Sequence, residues 1–549
     1  MRQKSAEFDG VDYEIKGMGG MSIVGSFRGT PGYMAYHADK KGTDAVRKLT
    51  LLADYPHSQG RYSMLRLCGA LTTNHHARLQ GDNIAFADGV FNPHGQGVQA
   101  IVSKTLEQTA LDPLDTKLVR LPVRHSGGGI RNAGANANIA WLASHSATAK
   151  WITNSYPITH VLSRALTALQ AQPDPAVEST EYANRLHRAV QEYRQLFEQA
   201  GERRHDPDQD GFEMSPVGLM DKSVKFQHAA QLLQTKVELR EIRPYLSLAQ
   251  AVGFKAQSAR GAGALITALP VKGSPFYLPN SIFTYVFQRR FLKQSIGALD
   301  SNVEDACSCS IGGCREKLSY SHLESCVCTP IMEQRHEVLR TQTQHMFDEV
   351  GVNYDKADLR CHMGIRNRLA AAGVVNSAGA IIQYSGPGRK RGNHEGADML
   401  VHSLELPGDE TAMDFTVVND RAECRINPTA TPYTGTDAQL AATLKGAEAA
   451  KEKHYGDLYG KINIKIRGIA MDLAGDIGPN LRALIKRCEV IGGYELPEWA
   501  NWSAGTSFYS AWRQRIIVSV LAKNAECALR NRGRSKVARA AAVASGVGG

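Results

Sequence analysis

The sequence predicts a multidomain protein, all-α through its first half and α/β through its last third, with a small zinc-binding knuckle between them. Three observations carry that expectation. Apolar residues recur at helical spacing from the N-terminal region to about Leu292, as in Tyr62, Leu65, Cys68 and Leu71, or Tyr182, Leu186, Val190, Tyr193 and Phe197. Five of the ten cysteines crowd between Cys307 and Cys328. From Ala380 onward, short β-type runs alternate with helical stretches, the pattern of an α/β domain. A chain of 549 residues has room for about three to five structural units.

Taken in order, Thr43 and Asp44 are placed to cap a helix carrying Ala45, Leu49 and Leu52 that stops before Pro56. A second helix begins near Ser58. The segment from Lys117 to Arg131 reads as a turn-rich crossing, followed by an alanine-rich helix through Trp141. Further helices are expected around Tyr182 to Phe197, Lys225 to Ala251, Pro279 to Leu292 and Met332 to Val350, the last closed by Gly351. Short strands are expected at Ala380 to Tyr384, Asp398 to Val401 and Met413 to Val418, separated by Gly, Pro and charge. Thr436 and Gln439 make a capping box that opens a helix through about Tyr455. A strand from Ile462 to Ile469 follows, then helices around Leu481 to Cys488 and Ser507 to Leu529. The basic stretch from Arg530 to Arg539 and its Ala/Gly/Ser end predict a disordered tail.

Composition narrows the function classes. Hydrophobic content is 43% and no apolar run reaches the roughly 18 residues a membrane span needs, so a soluble chain without a membrane partner is expected. The start turns acidic at Glu7 and Asp9 and has no apolar core segment, which argues against a signal or transit peptide. A net charge of +10 permits a polyanionic partner. Nothing in the chain calls for a small-molecule substrate.

The cysteine cluster reads Cys307-Ser-Cys309-x4-Cys314-x7-His322-x3-Cys326-x-Cys328. A tetrahedral structural Zn²⁺ site needs four such ligands from a short unit, and His322 and Cys326 stand one helical turn apart. Buried or disulfide-bonded cysteines are the alternative; tight clustering without a secretion signal favours metal. Cys314, His322 and Cys326 are three ligands and Cys309 is taken as the fourth, with Cys307 or Cys328 able to replace it.

The α/β region offers two acids and a lysine. Asp398 opens one predicted strand, Asp414 sits in the next, and Lys451 and Tyr455 share one face of the following helix. Two carboxylates on neighbouring strands suit Mg²⁺, which polarises a phosphodiester while a lysine orients water or offsets charge. If Pro407 and Gly408 make the turn, the hairpin centre falls after Leu406 and the two acids are offset by a few residues. A bulge or longer loop would realign them. Other motifs fall short. Asp206 to Gly211 opens like a calcium loop, but Val217 stands where a bidentate Glu is required. Gly127-Gly128-Gly129 lacks the Lys of a nucleotide loop and reads as a turn, and His75-His76 as an exposed helix end. The chain has no Asp-Asp dipeptide, the pair that a reverse-transcriptase palm uses to hold two metals.

In order along the chain, these segments resemble the C-terminal half of a non-LTR retrotransposon reverse transcriptase of the class with a restriction-like endonuclease. Leu65-Arg66-Leu67-Cys68-Gly69 resembles its thumb helix, and Arg120-Leu-Pro-Val-Arg-His-Ser-Gly-Gly-Gly-Ile-Arg131 its Arg-Leu-Pro-x-Arg-x-Gly-Gly signature. Ala264 to Pro270 resembles a box in its helical linker, the cysteine cluster its CCHC knuckle, and Gln334-Arg335-His336-Glu337 its Arg-His-Asn segment. Gly396-Ala397-Asp398 stands where the nuclease has Arg-Pro-Asp, Asp414 at the second acid, and Lys451-x-x-x-Tyr455 at the helical lysine-tyrosine pair. The chain departs from the pattern at Gly396, Ala397, Glu337 and Thr416, where the family has arginine, proline, asparagine and, in many restriction-like sites, lysine.

The resemblance implies a post-palm remnant over 1–40, a helical thumb over 41–150, a helical linker over 151–300, a zinc knuckle over 301–345, a restriction-endonuclease-like α/β domain with a mixed sheet over 346–529, and a basic tail over 530–549. It implies Mg²⁺-dependent DNA cleavage by Asp398, Asp414, Lys451 and Tyr455, with Arg120, Arg124, Arg335 and His336 gripping nucleic acid. DNA and an element RNA would be the partners, and the nucleus the location. The rival expectation is a nucleic-acid-binding protein without catalysis. The zinc expectation has its own check: elemental analysis of purified protein should return at least one equivalent of zinc, and less than one removes the knuckle.

Overall fold

The computed structural model describes residues 6–8, 11–16, 20–23, 26–81, 83–131, 134, 137–144, 188–189, 191–193, 195–196, 198–200, 223–259, 261–293, 320–325, 330–355, 363–374, 397–419, 437–502 and 506–544. These residues are mostly helical with two four-stranded sheets, one of them mixed. No helix among them is long and apolar enough to cross a membrane. The chain divides into two compact units, Met1–Pro122 with Gly127–Tyr245, and Val123–Ser126 with Leu246–Gly549.

The first unit opens with an antiparallel meander that helical periodicity gave no reason to expect: β1 (Ala6–Phe8), β2 (Val11–Lys16), β3 (Gly20–Ile23) and β4 (Ser26–Gly29). Strands of three to six residues are too short for an alternating pattern to stand out. Helix α1 (Pro31–Ala53) starts well before the expected Thr43. Thr30 Oγ1 accepts the Tyr33 amide at 3.3 Å and Pro31 occupies the first turn, a stronger start than the Thr43-Asp44 pair. Asp44 instead pairs with Arg47 and Lys48 on the exposed face of the same helix. The helix does stop before Pro56. Then come α2 (Ser58–Leu67), α3 (Asn92–Leu106), α4 (Pro113–Arg120) and α5 (Ser223–Ile242). Phe27 of β4, Met34 and Ala38 of α1, and Phe86, Val90 and Phe91 form the core beneath the meander.

In the second unit, α6 (Leu248–Gln257), α7 (Asn280–Arg290), α8 (Tyr320–Ser325) and α9 (Ile331–Val350) precede the mixed sheet. The sheet region contains β5 (Tyr354–Asp355), α10 (Met363–Ala371), β6 (Met399–His402), β7 (Glu410–Val418), α11 (Asp437–Gly460) and β8 (Lys465–Asp472). Its order is β5-β6-β7-β8, with β5, β6 and β7 antiparallel and β8 parallel to β7. A parallel neighbour needs a crossover, and α11 is the helix in it. Strand β8 starts later than the expected Ile462 because Tyr459 O accepts the amides of Ile462 and Ile464, each at 3.1 Å, wrapping that segment into the end of the helix. The chain ends with α12 (Pro479–Ile491) and α13 (Phe508–Ala544). The tail expected to be disordered from Arg530 continues α13 to Ala544 instead; alanine and arginine are strong helix formers. The strand expected at Ala380 to Tyr384 lies outside the described residues.

Behind the sheet, α9 packs along α13, and one buried carboxylate ties four helices together. Glu324 of α8 receives Arg289 Nε at 2.8 Å, Tyr285 Oη at 3.1 Å and Asn524 Nδ2 at 3.0 Å, and pairs with the Arg289 guanidinium through its second oxygen. Its backbone carbonyl accepts Arg335 Nη1 at 2.8 Å. Removing one partner of such a buried pair strands the other charge. Glu324→Ala is therefore expected to lower stability by about 3–5 kcal/mol in urea unfolding. An unchanged unfolding midpoint would show that the network contributes nothing.

Candidate active site

The hairpin between β6 and β7 sets the site. Met399 pairs with Met413 and His402 with Glu410, a register that stands Asp398 opposite Asp414. The Asp398 amide donates to Met413 O at 2.9 Å and continues the ladder by one residue. The expected offset is thus absent. Pro407 and Gly408 do not lie at the hairpin centre but fill a tight turn within a wider loop, where the Asp409 amide bonds Leu406 O at 3.1 Å and Gly408 takes φ 84°. Ser403 N closes the loop on Asp409 O at 2.7 Å, which moves the centre back to Leu406.

The two carboxyls meet on one face of the sheet. Asp398 Oδ2 accepts the Phe415 amide at 2.8 Å and faces His336 Nε2 at 2.9 Å. Asp414 has 5% of its side chain exposed, and Lys451 Nζ of α11 stands 2.8 Å from its Oδ2 at ion-pair distance. That oxygen is buried and accepts no well-directed hydrogen bond. Burial, and then the charge and contact of Asp398, push the Asp414 carboxyl up to about 7 against the pull of Lys451. Burial also opposes ionisation of Asp398, but the His336 bond, the contact with Asp414 and the Phe415 amide hold it below the usual carboxylate range. Burial disfavours the imidazolium of His336, while Asp398 outweighs that and raises it. Of the two, Asp414 is therefore the carboxyl that keeps its proton to higher pH.

The parallel strand makes this approach possible. Gly468 of β8 pairs with Asp414, and a Cβ there would meet the backbone oxygen of Glu448 at 2.3 Å. Only glycine lets α11 lie this close to β8. Glu448, three residues before Lys451, fixes the same approach from its side chain: its Oε1 accepts Ala470 N at 3.3 Å and Asn480 N at 3.2 Å, capping the start of α12. Asn480 Nδ2 in turn donates to Gly468 O at 2.9 Å and to Glu452 Oε1 at 2.7 Å.

The remaining expected site residues fall in different places. Tyr455 is buried, its ring 6.1 Å from Tyr459 and 4.4 Å from His454, in a core shared with Ala397 and Leu400. Tyr459 was not singled out in the sequence, yet its hydroxyl accepts the Ala397 amide at 2.9 Å and so holds the peptide before Asp398. The signal was there: Lys451, Tyr455 and Tyr459 fall four apart on one helical face. Arg335, expected to grip nucleic acid, is 2% exposed and bonded to Glu324 and Asn524. His336, expected beside it in that role, is bonded to Asp398 instead. Arg120 ends α4, partly buried beside Glu238, whose carboxyl burial pushes up to about 7 against that arginine. Arg124 is exposed on a short turn, Nε donating to His125 Nε2 at 3.2 Å. His322 lies partly buried on α8, two residues before Glu324, while Cys309, Cys314 and Cys326, with Cys307 and Cys328, lie outside the described residues.

Two converging carboxylates, one with a buried oxygen whose neighbour is the Lys451 ammonium at ion-pair distance, fit a hard divalent cation such as Mg²⁺. Among the described residues no three His, Cys, Asp or Glu side chains group at ligand distance, so the protein would supply two ligands and water the others. No protein-family model matches the sequence, and no curated protein matches it. The raised Asp414 carboxyl has a measurable consequence without metal. A carboxyl raised in the fold stabilises the protein below its unfolded value and loses that contribution as pH rises through its folded value. Wild-type stability minus that of Asp414→Asn should therefore fall between pH 3.8 and about 7 in guanidinium unfolding of metal-free protein. A flat difference across that window rules the raised carboxyl out.

Proposed function

We propose that the second unit contains a divalent-cation-dependent endonuclease that cleaves DNA phosphodiester bonds. The carrying observation is the convergence of Asp398, Asp414 and Lys451 from two paired strands and the crossover helix beside them. The mixed sheet, with its acids on adjacent strands, agrees with the restriction-like domain that the sequence resemblance implies. On that resemblance the chain corresponds to the thumb, linker, knuckle and nuclease of a non-LTR retrotransposon reverse transcriptase without its palm. It would act in the nucleus on DNA and an element RNA, leaving a 3′-hydroxyl for target-primed reverse transcription.

Asp398 and Asp414 would hold the cation, Asp414 in its deprotonated form. The ion would supply Lewis-acid polarisation of the scissile phosphate and a more acidic water. Lys451, already beside Asp414, offsets the negative charge that builds on the phosphate oxygens or orients the attacking water. Tyr455 and Tyr459 pack the helix face and hold Ala397, keeping Asp398 in place. A structural Zn²⁺ at Cys309, Cys314, His322 and Cys326 would support the nucleic-acid-binding part.

Ala397 where the family has proline need not mean decay. Its amide donates to the Tyr459 hydroxyl, a bond that proline has no N–H to make. Thr416 stands where many restriction-like sites have lysine, and Lys451 reaches the same carboxylate from the helix. The rival reading, a nucleic-acid-binding scaffold without catalysis, is favoured by the proton and ammonium that mask Asp414.

A nicking assay on supercoiled DNA with Mg²⁺ separates the two. Wild type should open the circle, Asp414→Ala should not, and Lys451→Ala should be slower by about a hundredfold or more. Equal nicking by wild type and Asp414→Ala sinks the enzyme reading and leaves only binding, whose affinity should fall steeply as salt rises.

A further inference from the structure

We propose that His336 sets which cation the carboxylate pair accepts, by filling one oxygen of Asp398 so that this ligand binds through its other oxygen alone. The inference rests on the metal-centre reading above. Its ground is the hydrogen bonding of a single atom. Asp398 Oδ2 receives the Phe415 amide at 2.8 Å and His336 Nε2 at 2.9 Å. A carboxylate oxygen has two in-plane lone pairs, and these two donors occupy both. Asp414 is different: its buried Oδ2 accepts no well-directed hydrogen bond and faces only the Lys451 ammonium at 2.8 Å.

The donor is held firmly. His336 follows Arg335 on α9, and Arg335 is locked from behind by Glu324 O at 2.8 Å and Asn524 Oδ1 at 3.4 Å. Neighbouring residues on a helix point about 100° apart, so pinning Arg335 in the core fixes the direction in which His336 leaves the helix. Its ring centroid lies 6.4 Å from that of Phe415, the residue whose amide supplies the other bond. The imidazole is therefore a positioning group on the ligand and does not itself bind the ion.

The consequence is selectivity. Mg²⁺ takes one oxygen from each carboxylate in a small octahedral shell, whereas Ca²⁺ takes more ligands at longer distances and commonly grips a carboxylate by both oxygens. An Asp398 restricted to one oxygen favours the smaller ion. Freeing Oδ2 of its second donor opens the two-oxygen mode and favours Ca²⁺.

Calorimetric titration of metal-free protein with MgCl₂ and, separately, CaCl₂ tests this without relying on cleavage. His336→Ala and His336→Leu remove the donor in two sizes, so either variant that keeps its circular dichroism spectrum suffices. The ratio of Ca²⁺ to Mg²⁺ affinity should rise about tenfold in these variants, the low end for loss of a ligand's hydrogen-bond partner. His336→Gln, whose amide can still donate, should stay near the wild-type ratio. An unchanged ratio in the donor-less variants, with Asp414→Ala losing both ions, overturns the role of His336 and leaves the metal centre standing. If Asp414→Ala binds both ions as wild type does, the metal centre itself fails, and this inference with it.

Discussion

The second unit depends above all on the register of one hairpin. A strand's side chains alternate faces, so a slip of a single residue between β6 and β7 would send Asp398 and Asp414 to opposite sides of the sheet. The tip of the hairpin is held accordingly. Arg487 of α12 donates through Nε to Leu404 O at 2.8 Å and through Nη2 to Glu405 O at 3.0 Å, while Lys465 reaches both Glu405 and Asp409 at 3.3 Å. Lone surface ion pairs contribute little, but cations from β8 and α12 on one short loop leave it few alternative pairings.

A second constraint acts at right angles to the first. The hairpin aligns the acids within the sheet, and Gly468 with Glu448 brings α11 down onto it. Both are needed, since Lys451 reaches Asp414 only where the helix backbone nearly touches the strand. Glu448 serves two elements at once, fixing the depth of α11 and satisfying the Asn480 amide at the start of α12. Further back, the Glu324 network orients α9 and hence His336. The geometry around two carboxyl groups is thus set by polar contacts spread over six helices and three strands.

Much of this was legible in the residues, and the failures have physical causes. Helix α2 was readable from its periodic stripe and α9 from the glycine that closes it, whereas Thr436, expected to cap α11, lies outside the described residues. The acids and Lys451 were readable as residue types on predicted strands and a helix. The hairpin register was not, because Pro-Gly looks like the turn itself, and only the closing bond from Ser403 to Asp409 places it off centre. The first meander was missed for want of length, and the continuation of α13 because a basic alanine-rich run suits either a tail or a helix. His336 and Arg335 were read together as neighbours facing one partner. Adjacent residues on a helix face different ways, and here one enters the core while the other meets Asp398.

The bond between Ala397 and Tyr459 also limits how this chain can change. Residue 397 donates its N–H to the Tyr459 hydroxyl, a job that a ring imino acid cannot perform. Proline at 397 alone would cut the tie between the end of α11 and the peptide before Asp398. The amide and the hydroxyl thereby act as one anchor, and removing either of them leaves the other holding nothing.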